Sequence, residues 1–192
     1  MITETQTKKI WAIVGPSGSG KTSVGAGSLK ESGVPEIVSH TTRKMREGEQ
    51  EGINYYYVTK EEFDKLRKVE EVCYSGNYYC TSKDEIEQKL EKSDEVCIVV
   101  SIEGVEALKE NYGDMVKSIF MNIDRDICIQ RMIERNDTIE QIEKRIKNFD
   151  ETHEFENGPK CDYIYNCPLN MTIEENKKDF LNFVQKIRED LK

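Results

Sequence analysis

A three-layer α/β fold, with a parallel sheet covered by helices on both faces, is predicted by three observations. Runs rich in Val and Ile alternate with helical segments near both ends of the chain. Helix starts are marked by four S/T-x-x-E/Q capping boxes: Thr59 with Glu62, Ser82 with Glu85, Thr138 with Gln141, and Thr172 with Glu175. The first apolar run, Ile10 to Val14, leads into Gly15-Pro16-Ser17-Gly18-Ser19-Gly20-Lys21-Thr22, a glycine-rich turn that opens a helix.

Strands are expected at Ile10 to Val14, Glu36 to Val38, Tyr55 to Val58, Val96 to Ile102, Ser118 to Ile123 and Tyr163 to Tyr165. Gly33-Val34-Pro35 reads as a turn. The last helix carries Phe180, Val184, Ile187 and Leu191 as one stripe, suited to packing on a sheet. Gly25 and Gly27, in the helix after the glycine-rich turn, imply tight packing or a weak first helix.

The turn itself is a P-loop. Its backbone N–H groups point inward with no Cβ in the way, and the following helix aims its positive end at the same place. Gly15, Ser17, Gly18, Ser19, Gly20, Lys21, Thr22 and Ser23 are therefore expected to hold the phosphates of ATP. Lys21 would reach the β and γ phosphates, and the Thr22 hydroxyl would enter the shell of Mg²⁺. A glycine-rich turn with no ligand is the bland alternative.

The 192 residues suffice for one core with smaller inserted lobes. No apolar run reaches membrane-spanning length, and the opening MITETQTKK has no apolar leader, so a cytoplasmic protein with no membrane partner is expected. A net charge of −9 argues against nonspecific nucleic-acid binding, so an anionic substrate must be captured locally by Arg and Lys. Six cysteines without a CxxC pair, beside two histidines, give no zinc pattern and read as reduced thiols. His40 reads as a loop residue, and His153 has no evident partner.

Between about Ser39 and Leu90 the sequence turns polar, Tyr-rich and Arg-containing, as an inserted lobe would. From about Asp126 to Glu151, Arg131 and Arg135 share a helical face, Asn136-Asp137 breaks the helix, and a second helix carries Arg145. Two such arms could gather three guanidiniums for phosphoryl transfer. A solvated hairpin with ion pairs to Glu134, Glu140 and Glu143 is the alternative.

SHTTRKMREGEQEGINYYYV (Ser39 to Val58), SGNYYCTS (Ser75 to Ser82), RMIERNDTIEQIEKR (Arg131 to Arg145) and CDYIYN (Cys161 to Asn166) resemble, in order, segments of guanylate kinases. The resemblance covers nearly the whole chain from Lys8 onward. It implies one P-loop NTPase domain over 1–192, with a core at 8–38, 93–125 and 152–192, a mixed α+β GMP-binding lobe at 39–92, and a helical lid at 126–151. It also implies transfer of a γ-phosphoryl from Mg-ATP to GMP or dGMP, by a monomer or homodimer. Arg43, Arg46, Tyr55 and Tyr79 would hold the acceptor phosphate, while Ser39, Glu70 and Thr81 would read the base. A carboxylate at Glu70 can accept from guanine N1–H and the N2 amino group together, whereas adenine offers no such pair. A register with Glu71 in that part stays open. Catalysis would rest on Lys21, Arg43, Arg131, Arg135 and Arg145.

The chain departs from the family at three places. An acidic pattern expected after the Cys97 to Val100 strand is replaced by Ser101-Ile102-Glu103-Gly104, leaving Glu103 as a substitute carboxylate. Cys80 stands where the family has Gly, which would alter the base pocket. The lid turn at Asn136 to Asp137 is short, which bears on where Arg145 lies. Two alternatives remain: a related kinase with another nucleoside monophosphate or a phosphosugar as acceptor, and a noncatalytic guanylate-kinase-like protein-binding module.

Overall fold

A run in which Ile10 to Val14 are all apolar must be covered on both faces, and it is. In the computed structural model, which describes residues 8–74 and 76–192, β1 spans Lys9–Val14. Ile10, Ala12 and Val14 enter one apolar cluster, and Trp11 and Ile13 the other. Residues 1–7, most of the stretch read for a leader, and Ser75 of the SGNYYCTS segment lie outside the described residues.

After β1 and the P-loop comes a π-helical segment, Lys21–Ala26, running into α1, Gly27–Glu31. The short strands β2 (His40–Thr41) and β3 (Tyr56–Tyr57) follow, then α2 (Lys60–Asp64), β4 (Lys68–Tyr74), β5 (Asn77–Ser82) and α3 (Lys83–Lys92). The remainder is β6 (Glu95–Val99), α4 (Ile102–Tyr112), β7 (Val116–Asn122), α5 (Arg125–Glu134), α6 (Ile139–Thr152), β8 (Tyr163–Asn166) and α7 (Ile173–Asp190).

The larger sheet has the order β6-β1-β7-β8 with every pairing parallel. Beyond β6, Glu36 forms a single parallel bridge with Cys97, so the expected Glu36 to Val38 strand is an edge contact rather than a full strand. Helices α3 and α4 bring Ile86, Leu90, Val105 and Leu108 to one face, while α7 brings Phe180, Val184 and Ile187 to the other. Three layers result. Leu191, expected in the same stripe, is 40% exposed because α7 has run past the sheet by then.

Parallel strands send all their carboxyl ends to one edge, where ligands of such sheets bind. The P-loop leaves β1 there, the Ser39 crossover leaves the Glu36 bridge, the Ser101 turn leaves β6, and α5 follows β7. The expected strand through Ile102 stops at Val99, because Ser101 caps α4 by accepting from the Gly104 N–H at 3.2 Å.

The smaller sheet, β3-β2-β5-β4, is mixed, with antiparallel β4 and β5 forming a hairpin that periodicity did not reveal. It is docked rather than free, since Val69 of β4 packs against the core cluster that contains Ile86 and Leu90. Three capping boxes close fully, at Thr59, Thr138 and Thr172. At Ser82 only the forward half forms. Asn136, with φ +61°, ends α5, and His153 ends α6 in the left-handed region with Glu156 3.3 Å from its ring. Among the described residues no helix is long and apolar enough to cross a membrane.

Candidate active site

The P-loop wraps tightly against α5. Gly18 has φ +86°, and a Cβ there would lie 2.8 Å from the Cys128 carbonyl oxygen of α5, so only glycine fits. Ser19 is buried, its N–H bonded to the Pro16 carbonyl at 3.1 Å and its hydroxyl left without a partner. A buried orphan hydroxyl within a phosphate-loop turn suits an anionic guest. Lys21 Nζ donates to the Pro16 carbonyl at 2.9 Å, and burial pushes its ammonium below the ordinary value, opposed by the charge of Glu154. Thr22 and Ser23 are exposed at the mouth.

A cavity of about 870 Å³ opens over the loop, lined by Ser17, Lys21, Thr22 and the three lid guanidiniums of Arg131, Arg135 and Arg145. Arg131 donates to the carbonyls of Gly18 (3.2 Å) and Ser19 (3.4 Å). Arg145 donates to the Ser17 hydroxyl, so the short lid turn still brings it to the loop. Arg135 forks onto Asp137 at 2.8 and 2.5 Å, and Asp137 also lies 3.8 Å from Arg145. All three guanidiniums line this cavity, Arg135 and Arg145 sharing Asp137, which takes the part expected of Glu134, Glu140 or Glu143.

The second site is built on one face of the smaller sheet. Strand alternation sends Tyr55 and Tyr57 to one side and Tyr56 to the other. Tyr55 meets the Tyr57 ring at 6.0 Å and the Tyr79 ring at 5.8 Å, centroid to centroid. Arg43 lies over Tyr55 and Tyr57, at 5.5 and 5.7 Å. Its fork is held by Glu49, at 3.0 and 2.8 Å, and Glu49 also accepts from the Arg46 backbone and the Tyr57 hydroxyl, each at 2.8 Å. Those bonds, Arg43 first, hold the Glu49 carboxyl down at about 2. The Arg46 side chain is exposed, and Ser39 is half-buried, its carbonyl accepting from Tyr56 N–H at 2.9 Å.

Glu70 stands opposite Thr81 in the hairpin and accepts from its hydroxyl at 3.0 Å. Burial raises the Glu70 carboxyl above its ordinary value, with the Thr81 bonds opposing. Glu71 turns to the opposite face and pairs with Lys68. Cys80 points to that same far face, since it alternates with Tyr79 and Thr81, so the residue that replaces the family's Gly adds no bulk beside them. Glu103 is exposed in the first turn of α4.

A family model described as Guanylate kinase matches residues 7–182. The chain belongs to the guanylate kinase family. The guanylate kinase of Fusobacterium nucleatum is 30% identical over 181 residues, covering 92% of this chain and 95% of that one. That of Hahella chejuensis is 32% identical over 183 residues, covering 90% and 85%. Among solved structures, guanylate kinase from Anaplasma phagocytophilum superposes with a TM-score of 0.64 at 24% identity, covering 94% of this chain and 86% of that one, which speaks to the fold. An ATP-dependent nucleoside monophosphate kinase is thereby described.

In this guanylate kinase fold, sequence reasoning missed Glu49, Tyr57 and Asp137. Glu49 and Tyr57 join Arg43 only when the 43–57 loop returns on itself. Asp137 was read as a helix breaker, and its charge between two arginines was the available signal.

Proposed function

We propose that the chain transfers the γ-phosphoryl of Mg-ATP to GMP or dGMP, giving ADP and the guanine nucleoside diphosphate, in the cytoplasm. The observation that carries the reading is a pair of distinct sites: a phosphate loop faced by three lid guanidiniums, and an Arg–Tyr cluster on the sheet face that also bears Glu70 and Thr81. In this reading residues 8–38, 93–125 and 152–192 are the core, 39–92 the acceptor lobe and 126–151 the lid.

The P-loop residues Gly15 to Ser23 hold the donor phosphates, with Lys21 on the β and γ groups. Arg131, Arg135 and Arg145 neutralise the charge that spreads over the transferred group and keep water out. Arg43, Arg46, Tyr55 and Tyr79 grip the acceptor phosphate, which is already anionic and needs no general base. Glu70 accepts from guanine N1–H and N2, while Ser39 donates to the O6 and N7 edge, joined by Thr81 if its hydroxyl turns from Glu70. Rate enhancement then comes from positioning and charge neutralisation.

Among the described residues no cluster of three carboxylate, His or Cys side chains could hold a metal. The Thr22 hydroxyl beside the phosphate loop fits Mg²⁺ arriving with the nucleotide, since this ion keeps its waters and takes most other oxygens from phosphates. Thr22, exposed at the mouth of the loop, is the hydroxyl that would join its shell. When bound, the ion supplies further neutralisation of the donor phosphates. Glu103, exposed on α4, is the carboxylate left to meet a metal-bound water or the acceptor ribose.

An ADP-release assay with Mg-ATP against GMP, dGMP, AMP, CMP and UMP tests the reading. Turnover is expected with the guanine nucleotides, at least about tenfold above the rest, and Lys21→Ala is expected to lose about 100-fold or more. Folded protein inactive toward both guanine nucleotides would overturn it.

A further inference from the structure

Glu85 is a carboxylate buried to 6% exposure in the first turn of α3, and the chemistry above makes no use of it. Sequence spacing gives it a capping task toward Ser82. Its backbone N–H does donate to the Ser82 hydroxyl at 3.2 Å, but its carboxylate turns elsewhere. Oε1 accepts the Val38 N–H at 3.1 Å and lies 2.6 Å from Lys89 Nζ, while Oε2 accepts the Tyr56 hydroxyl at 3.3 Å.

These partners belong to three different pieces of the fold. Val38 directly precedes Ser39, where the chain crosses from the large sheet into the small one. Tyr56 sits between Tyr55 and Tyr57 in β3. Lys89 lies on α3 and also donates to the Glu36 carbonyl. One buried charge thus ties the crossover, the outer lobe strand and a helix anchored in the core. Such a charge is costly to bury unless each partner is in place, and removing it strands them.

The tie has a target, because β2 and β3 share only two residue pairs. So short a ladder specifies its register weakly. His40 stacks on Tyr56 at 4.8 Å and closes the same face. Fixing Tyr56 from behind fixes Tyr55 and Tyr57 in front, and Tyr57 leads through Glu49 to Arg43.

We propose that Glu85 is a positioning residue for the acceptor nucleotide, holding the Ser39 crossover and the Tyr55–Tyr57 strand from the far face of the lobe. The proposal rests on the acceptor reading given above. Glu85 touches no substrate and acts through Val38 and Tyr56.

Steady-state kinetics of the wild type, Glu85→Ala, Glu85→Gln and Tyr56→Phe, with melting curves and GMP calorimetry, test it. Glu85→Ala is expected to raise the acceptor KM and Kd about tenfold, with the ATP KM within about twofold. Glu85→Gln keeps one acceptor oxygen for the Val38 N–H and turns an amide N–H donor to the Tyr56 hydroxyl oxygen, so it should recover part of that loss. Tyr56→Phe should raise the acceptor KM about threefold and decides the matter if Glu85→Ala fails to fold. Donor and acceptor KM rising together, or neither moving in folded variants, would overturn the proposal while leaving the acceptor reading intact. A wild type that neither binds nor phosphorylates GMP would overturn the acceptor reading, and this proposal with it.

Discussion

Glu70 carries two opposed pulls: burial disfavours its charge, and the Thr81 hydroxyl supports it. In the proposed acceptor site guanine would need the carboxylate, because a protonated acid offers a donor where N1–H and N2 also donate. Acceptor affinity is therefore expected to weaken as pH falls through the raised Glu70 value, beyond the loss that protonation of the terminal phosphate brings to GMP and ATP alike. Glu70→Gln should flatten this dependence and relax guanine over adenine selectivity. Calorimetric titrations of GMP and ATP between pH 7.5 and 5 check it, and a Gln variant as pH-dependent as the wild type would place the titrating group elsewhere. At this scale much of the geometry of the candidate site was legible. Lys21, Arg43, Tyr55 and Tyr79 could be read as chemistry in a motif, and alternation alone separated Tyr56 from Tyr55. Glu49 was illegible, because a glutamate in a charged loop looks like solvent until the chain folds back to meet Arg43.

Gly25 shows at the level of an element what propensity could not decide. A Cβ there would lie 2.7 Å from Ile13 Cγ2 of β1, and one at Gly27 would lie 2.9 Å from the Thr22 carbonyl, so the glycines report close packing rather than a weak helix. The Gly27 N–H bonds to the Thr22 carbonyl, and the Gly25 N–H to that of Gly20 at 3.0 Å, the i→i−5 pattern of a π-turn. Gly25→Ala is expected to cost about 1–3 kcal/mol through overpacking, despite the better helix former. Thermal unfolding reads this directly, and an unchanged or raised midpoint would show that the segment can move off β1. The helices were the readable elements, since caps announce them within a few residues. The β4–β5 hairpin was not, because Lys68, Glu70 and Tyr79 keep neither strand face apolar enough to show a period of two.

On the scale of the whole molecule, stability is unevenly spread. The two clusters that sandwich the larger sheet include Ile86, Leu90 and, at their margin, Val69, so the lobe is expected to unfold with the core. Helices α5 and α6 bury Cys128, Met132 and Phe149 in a separate, small cluster with Ile123, just past the end of β7. Elements with few buried contacts open first. Hydrogen exchange of the free protein should therefore replace the amides of α6 well before those of β1, and ATP should slow the former. Equal protection in α6 and β1 would mean that the lid is part of the cooperative core. The layer order was readable from the sequence because alternating strands and helices restrict the topologies available. The docking of the lobe was not, since it depends on tertiary contacts of residues such as Val69 that carry no distinctive pattern.

The pairing of Arg43 with Glu49 bears on what this face of the smaller sheet attracts. Its guanidinium waits with a counter-ion of its own, forked at 2.8 and 3.0 Å and framed by tyrosine rings. An arriving anion meets a neutral pair instead of a bare cation, and gains only the difference between its own bonds and those it disturbs. Inorganic phosphate brings nothing else to widen that margin. A nucleotide brings a base, so in the proposed acceptor role the Arg43–Glu49 pair would favour it over small anions, which are left the exposed Arg46.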